Sequence, residues 1–295
     1  MLIFNNQIEE WSSIKAIANS YICSRKKKLM KKIVFFTAIS LTVHLCSAQI
    51  GPGGVGNSAN NILWLDANDL LLNNGDPVNT WPDKSGNNND AIQSTSTNQP
   101  TFVLSATNNR SALNFDGSND FFNLGNHITS NAITFFAVYQ TSVTNGRTLI
   151  NLENHYFFHQ NQNIRANYVN PNSQISVLAT AGSNYRVVEI ATNSDSLTGT
   201  VAMGSGVSST LAARTQLRGN PNSTIGVFNT SNFLNGRLAE VILYNSNLNT
   251  AQKNIISNYL AAKYNARNFV NLYNYKSIFN NDIFGIGQES DGGHF

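Results

Sequence analysis

Cysteine is nearly missing from this chain of 295 residues: there are two, Cys23 and Cys46, both in the first 48 positions. If that segment is removed, no disulfide can hold the rest of the chain, and a buried core has to do so. A bilayer-spanning run is also lacking. The apolar stretch Ile33 to Leu45 is roughly 13 residues, short of the about 20 that a spanning helix needs. It comes after Lys31 and Lys32 and precedes the small residues Ser47 and Ala48, the pattern of a secretory signal peptide cleaved between Ala48 and Gln49. Met30 stands directly before it, so residues 1–29 read as an extension upstream of the true start. The alternative is a long basic n-region built on Arg25 to Lys28. A lipidated Cys46 is disfavoured, because Leu45 before it is not small.

The positive charge is nominal. Residues 1–48 hold seven of the 19 Lys and Arg but only two of the 16 Asp and Glu, which leaves 12 against 14 in the remainder. A net charge of −2 there removes the main support for a nucleic-acid partner.

Catalytic strings are lacking too. There is no phosphate loop, triad or nucleotide fingerprint, and the G-x-G at Gly285 to Gly287 has no βαβ context. Glu153, Glu189, Glu240 and Glu289 each stand alone, with no E-x-D-x-E string to set two carboxyls about 5 to 10 Å apart for glycoside hydrolysis. His155 and His159 would share a face on a helix. Tyr156, Phe157 and Phe158 between them favour a strand, which puts the two about 13 Å apart, too far for one zinc.

The chain is instead made of short apolar runs cut by Gly, Asn, Ser and Pro. After a Gly-rich lead-in at 49–59, strands are expected at Ile62 to Asp66, Ala91 to Gln93, Thr101 to Leu104, Ala132 to Gln140 and Arg147 to Leu152. More are expected at Tyr156 to His159, Asn163 to Val169, Gln174 to Thr180, Tyr185 to Thr192, Thr200 to Met203 and Arg237 to Tyr244. Many strands without crossover helices argue an all-β, antiparallel sandwich. At the centre, Leu113 to Leu124 reads as a hairpin, two alternating arms around Asp116-Gly117-Ser118-Asn119-Asp120. Within Arg237 to Tyr244, alternation puts Ala239, Val241 and Leu243 on one face and Glu240, Ile242 and Tyr244 on the other.

One helix is expected. Asn249 with Gln252 makes a capping box, and Ile255, Ile256, Tyr259, Leu260 and Lys263 form a packing stripe opposite Lys253, Asn254 and Ser257. No other segment offers such a stripe.

Three motifs stand in order: W-x-D-x-S-G-x-x-x-D-A at Trp81 to Ala91, L-x-F-D-G-x-x-D at Leu113 to Asp120, and E-V-x-x-Y-N-x-x-L-x-x-x-Q at Glu240 to Gln252. Together they resemble bacterial laminin-G-like domains of the concanavalin A-like lectin/glucanase superfamily, over residues 60–265. The resemblance implies a jelly roll of two antiparallel sheets with one C-terminal helix. Residues 266–295, with Asp282 to Gly287, look like the truncated start of a further module of the kind found after such domains in Bacteroidetes surface proteins.

The expected role is a secreted or cell-surface binding module for glycans or other surface proteins, not an enzyme. A structural spacer and a glycosidase are the alternatives. Hard oxygen ligands cluster at Asp116, Asn119 and Asp120, and at Asp83, Ser85, Asn87 and Asp90, which suits calcium, although the same residues also build turns. Trp81, Tyr139, Tyr156, Tyr168 and Tyr185 are the aromatics a sugar could stack on, or else core residues. No residue is assigned a catalytic role.

Overall fold

The computed structural model describes residues 51–266, apart from 126–131, 153–154, 169–172, 193–198, 204–208, 212–222 and 229. For strand residues 155–156, 167–168, 173–175, 199–203 and 209–211 it describes the backbone. The chain divides into two compact units, Met1–Ala48 and Gln49–Phe295. The expected leader at 1–48 and, beyond Ala266, the expected module start at 266–295 lie outside the described residues.

Sixteen strands are described. The first six are β1 (Asn61–Asp66), β2 (Thr80–Trp81), β3 (Ala91–Ile92), β4 (Thr101–Thr107), β5 (Arg110–Asp116) and β6 (Phe122–Gly125). Next come β7 (Ile133–Thr141), β8 (Arg147–Leu152), β9 (His155–Gln160), β10 (Asn163–Tyr168) and β11 (Ser173–Leu178). The last five are β12 (Gly182–Thr192), β13 (Gly199–Met203), β14 (Ser209–Leu211), β15 (Ser223–Ile225) and β16 (Asn235–Tyr244). They form two antiparallel sheets. One runs β14-β13-β12-β7-β16-β5-β4, with β1 also on β16; the other runs β11-β10-β9-β8-β15-β6-β3-β2.

The sheets pack face to face, because alternate residues of each strand turn inward. Phe135 of β7 meets Phe157 of β9 with ring centroids 5.3 Å apart, and Trp81 lies 6.1 Å from Phe122. All four are fully buried, each stabilising the fold by about 1.5 to 3 kcal/mol or more. Among the described residues, the chain forms the expected all-β antiparallel sandwich with one C-terminal helix.

The expected central hairpin is not one. β5 pairs with β4 and β16 in the first sheet, whereas β6 pairs with β3 and β15 in the second. Asp116 to Asp120 is therefore a corner that carries the chain across the core, and Phe115 meets Phe122 edge-on at 6.1 Å. Two apolar faces separated by a short turn can lie side by side or opposite one another. Here the second arrangement buries both. Gly117 makes the corner with φ +81°, and a Cβ on it would stand 2.8 Å from that of Asn235.

A second apolar layer covers the outer face of the first sheet. Helix α1 (Thr250–Tyr264) starts with the expected capping box, the Asn249 side chain accepting from Gln252 N–H and the Gln252 side chain from Asn249 N–H. Ile256, Leu260 and Tyr264 are fully buried against Phe136, Val138, Ala239, Ile242 and Tyr244. The polar face is narrower than the periodicity indicates, since Ser257 is fully buried and Lys253 reaches Glu189 of β12 at 3.5 Å. Ala239 also departs from alternation. A register shift between Leu238 and Glu240 against β7 turns Ala239 toward the helix side, leaving Val241 and Leu243 in the sandwich core. Among the described residues no helix is long and apolar enough to cross a membrane.

Candidate functional site

One rim of the sandwich gathers the corner at Asp116 to Asp120 with neighbouring loops. Asp116 is exposed, and its Oδ1 accepts from Ser118 N–H (2.8 Å) and Asn119 N–H (3.2 Å). Asp120 is nearly buried and accepts from Asp116 N–H at 2.9 Å. Burial raises the Asp120 pKa to about 6; the Asp116 N–H bond opposes this, and the Asp116 charge adds to it. Asn119 Nδ2 donates to Thr97 O (2.8 Å) and Asn98 Oδ1 (3.2 Å), tying the corner to the loop before β4.

Beside the corner stands an aromatic pair. Phe121 and Phe233 are both half-buried, with ring centroids 6.4 Å apart and planes tilted by 52°. Phe121 is held by main-chain bonds, its N–H to Asn98 O (3.2 Å) and its carbonyl from Gln93 Nε2 (3.1 Å). Next to Phe233, exposed Asn232 accepts from Arg147 Nη1 at 2.9 Å. The rim therefore offers an apolar face, amides, a carboxylate and a guanidinium on fixed backbone.

The second acidic loop is built differently. Asp83 Oδ1 accepts from Trp64 N–H (2.8 Å) and Ser85 N–H (2.9 Å), while Oδ2 accepts from Ser85 Oγ (2.7 Å) and Asn89 N–H (3.0 Å). Asp90 accepts from Asp83 N–H at 2.8 Å, and Asn87 Nδ2 donates to Asn61 O and Ser58 O. These side chains hold the loop onto β1. The structure brings Asp83 together with Asp90, and Asp116 with Asn119 and Asp120. Among the described residues, no three of His, Cys, Asp and Glu converge.

Of the aromatics singled out in the sequence, Trp81 and Tyr139 are fully buried and Tyr185 nearly so. The side chains of Tyr156 and Tyr168 lie outside the described residues, as do Glu153 and Glu289. His155 and His159 both sit on β9, as expected of a strand. His159 is buried against Tyr139 (Oη to Nδ1, 3.2 Å), and burial, with the nearby Arg186 charge, lowers its pKa to about 4.

Sequence reasoning missed one cluster altogether. Under α1, Lys263 Nζ lies 2.5 Å from Asp66 Oδ2 and 2.7 Å from Glu240 Oε2. Glu240 also accepts from Trp64 Nε1 (2.7 Å) and Tyr264 Oη (2.9 Å). Burial raises the Glu240 pKa, against the pull of Lys263. Burial acts upward on Asp66 as well, but the Lys263 charge and the Asn68 donors outweigh it and leave the pKa lowered. The signal in the sequence was a lysine within an apolar helical stripe.

No family model matches the chain, and no curated protein matches it. Among solved structures it is similar to Trypanosoma rangeli sialidase in complex with sialic acid: 17% identity, 79% of this chain and 38% of that one, TM-score 0.47. It is similar to a mutant of NanB sialidase from Streptococcus pneumoniae at 13% identity, 48% of this chain and 26% of that one, TM-score 0.41. The Ruminococcus gnavus IT-sialidase CBM40 bound to alpha2,3 sialyllactose matches at 13% identity over 41% of this chain and 80% of that one, TM-score 0.36. The matched part thus spans well under half of either sialidase chain. Likenesses at these identities transfer no activity or ligand to this chain.

Proposed function

We propose that the chain is a secreted or cell-surface module of laminin-G-like type that binds a carbohydrate at the rim around Asp116 to Phe121. The observation that carries this reading is the Phe121–Phe233 pair, held half-buried beside Asn98, Asn119 and Asp116. A sugar ring presents an apolar C–H face and a hydroxyl edge. The first stacks on an aromatic surface, and the second pairs with amides and carboxylates fixed in place. Binding without cleavage is favoured because Glu189 and Glu240 are tied to Lys253 and Lys263 rather than facing a cleft. The signal peptide expected at 30–48 supports the extracellular location.

A broad carbohydrate array tests it. Hits with the wild-type protein should weaken at least tenfold in Phe121→Ala and in Phe233→Ala, about 1.4 kcal/mol of binding per factor of ten. An array without hits leaves the spacer role, and hits unaffected by either substitution move the site elsewhere.

A further inference from the structure

Lys263 sits between two buried carboxylates in a site largely withdrawn from water. Its side chain is 12% exposed, that of Asp66 4% and that of Glu240 0%. The rings of Tyr259 and Tyr264 flank the ammonium, with centroids 5.3 and 5.2 Å away. An isolated ion is costly here, and a proton passed from amine to acid turns an ion pair into two neutral groups that are cheaper to bury. Making an amide needs a proton taken from the amine, and Glu240, which burial favours in its neutral form, is the carboxylate placed to take it.

The two acids are not equivalent. Glu240 is anchored at both oxygens, Oε1 by Trp64 Nε1 and Oε2 by Tyr264 Oη. Asp66 is held by one. Its Oδ1 receives Asn68 N–H (3.0 Å) and Asn68 Nδ2 (2.8 Å), whereas Oδ2 faces Lys263 and Lys84. The two Asn68 donors on Oδ1 are placed where negative charge develops if Cγ is attacked. Lys84 is a poorer nucleophile candidate, being 30% exposed and shared with exposed Asp69 at 2.8 Å.

We propose that Lys263 and Asp66 join in an intramolecular isopeptide bond, with Glu240 as the catalytic proton carrier. The ammonium gives one proton to Glu240, which passes it to Asp66 Oδ2. The freed Nζ lone pair attacks Cγ, and the carbonyl electron pair moves to Oδ1, where the Asn68 donors hold it. The nitrogen releases a second proton to Glu240, which delivers it to Oδ2. As the carbonyl re-forms, Oδ2 leaves as water, and the amide nitrogen keeps its third hydrogen. Nothing is oxidised or reduced, and no co-reactant is needed.

The bond would tie β1 to the last turn of α1, residues 197 positions apart. It would do for this chain what a disulfide does elsewhere, restricting the unfolded state in a segment that has no cysteine after Cys46. A pull on the two ends of the domain would then load a covalent bond instead of the helix packing.

Intact-mass spectrometry of the purified folded chain tests the proposal, with fragmentation of a tryptic digest. The expected mass is one water, about 18 Da, below that of the sequence present, with the segment ending at Lys84 joined to segment 254–267 through Asp66 and Lys263. Lys263→Arg and Asp66→Ala should restore the full mass, and Glu240→Gln, checked for native circular dichroism, should leave most molecules unjoined. Full mass in folded wild-type protein after prolonged incubation overturns the proposal. So does a loss of water without the joined peptide, as a succinimide at Asp116–Gly117 would produce. Complete joining in Glu240→Gln overturns the role given to Glu240.

Discussion

Ile256→Ala probes how far the sandwich depends on its helix. The side chain is fully buried among Phe136, Val138, Ala239 and Ile242, in the layer between α1 and the outer face of the first sheet. The change removes three carbons. At about 0.8 kcal/mol for each buried CH₂, the transfer part alone is about 2.4 kcal/mol. A cavity cost adds to it, because β7 and β16 are hydrogen-bonded on both sides and cannot move in to fill the space. A total of about 3 to 4 kcal/mol is expected, or a Tm lowered by roughly 6 to 16 °C in a domain of this size. Urea denaturation followed by tryptophan fluorescence measures it, with Leu104→Ala, at a 57% exposed position, as the control. A loss under about 1 kcal/mol with an unchanged m-value would mean that the helix layer yields, and the cavity reasoning would fail.

Two further outcomes are expected. Asp120 has a folded pKa of about 6 against an ordinary 3.8, so the folded state keeps a proton that the unfolded state releases between about pH 4 and 6. Its contribution is fully present below pH 4 and is lost as pH rises through 6; Asp120→Asn, which keeps an acceptor for Asp116 N–H, should gain on the order of 1 to 3 kcal/mol near pH 7 and flatten that slope. Equal slopes for variant and wild type in denaturant titrations from pH 4 to 7 would sink this. If the rim carboxylates take calcium, saturation at 100 Kd should stabilise the protein by about 2.7 kcal/mol, and Asp116→Ala should remove the increment. Asp83→Ala is the poorer probe, since its carboxylate holds four donors and its loss lowers Tm with or without the ion; an unchanged wild-type Tm in millimolar Ca²⁺ leaves these carboxylates as turn builders.

Alternation and turn chemistry are local, and the features that depend on them were legible in the chain. The strand at Arg147 to Leu152, the capping box at Asn249 and Gln252, and the stripe of Ile256 and Leu260 all come from neighbours a few residues apart. Period two says that Phe115 and Phe122 face inward, but not whether they lie beside each other or opposite. Sheet membership decides that, and it is set by β16 and β15, more than 100 residues further on. Ala239 looked like a core residue until a bulge against β7, invisible in its own sequence, turned it over. Half of the rim was visible, because Asp116, Asn119 and Asp120 are turn residues. Phe121 and Phe233 gave no sign of their pairing, as an aromatic in a polar loop has no period to obey. The meeting of Asp66, Glu240 and Lys263 is the extreme case: three charged residues on separate elements, each ordinary in its own segment, until packing of the helix on the sheet brings the two carboxylates within 2.7 Å of the lysine nitrogen and withdraws them from water.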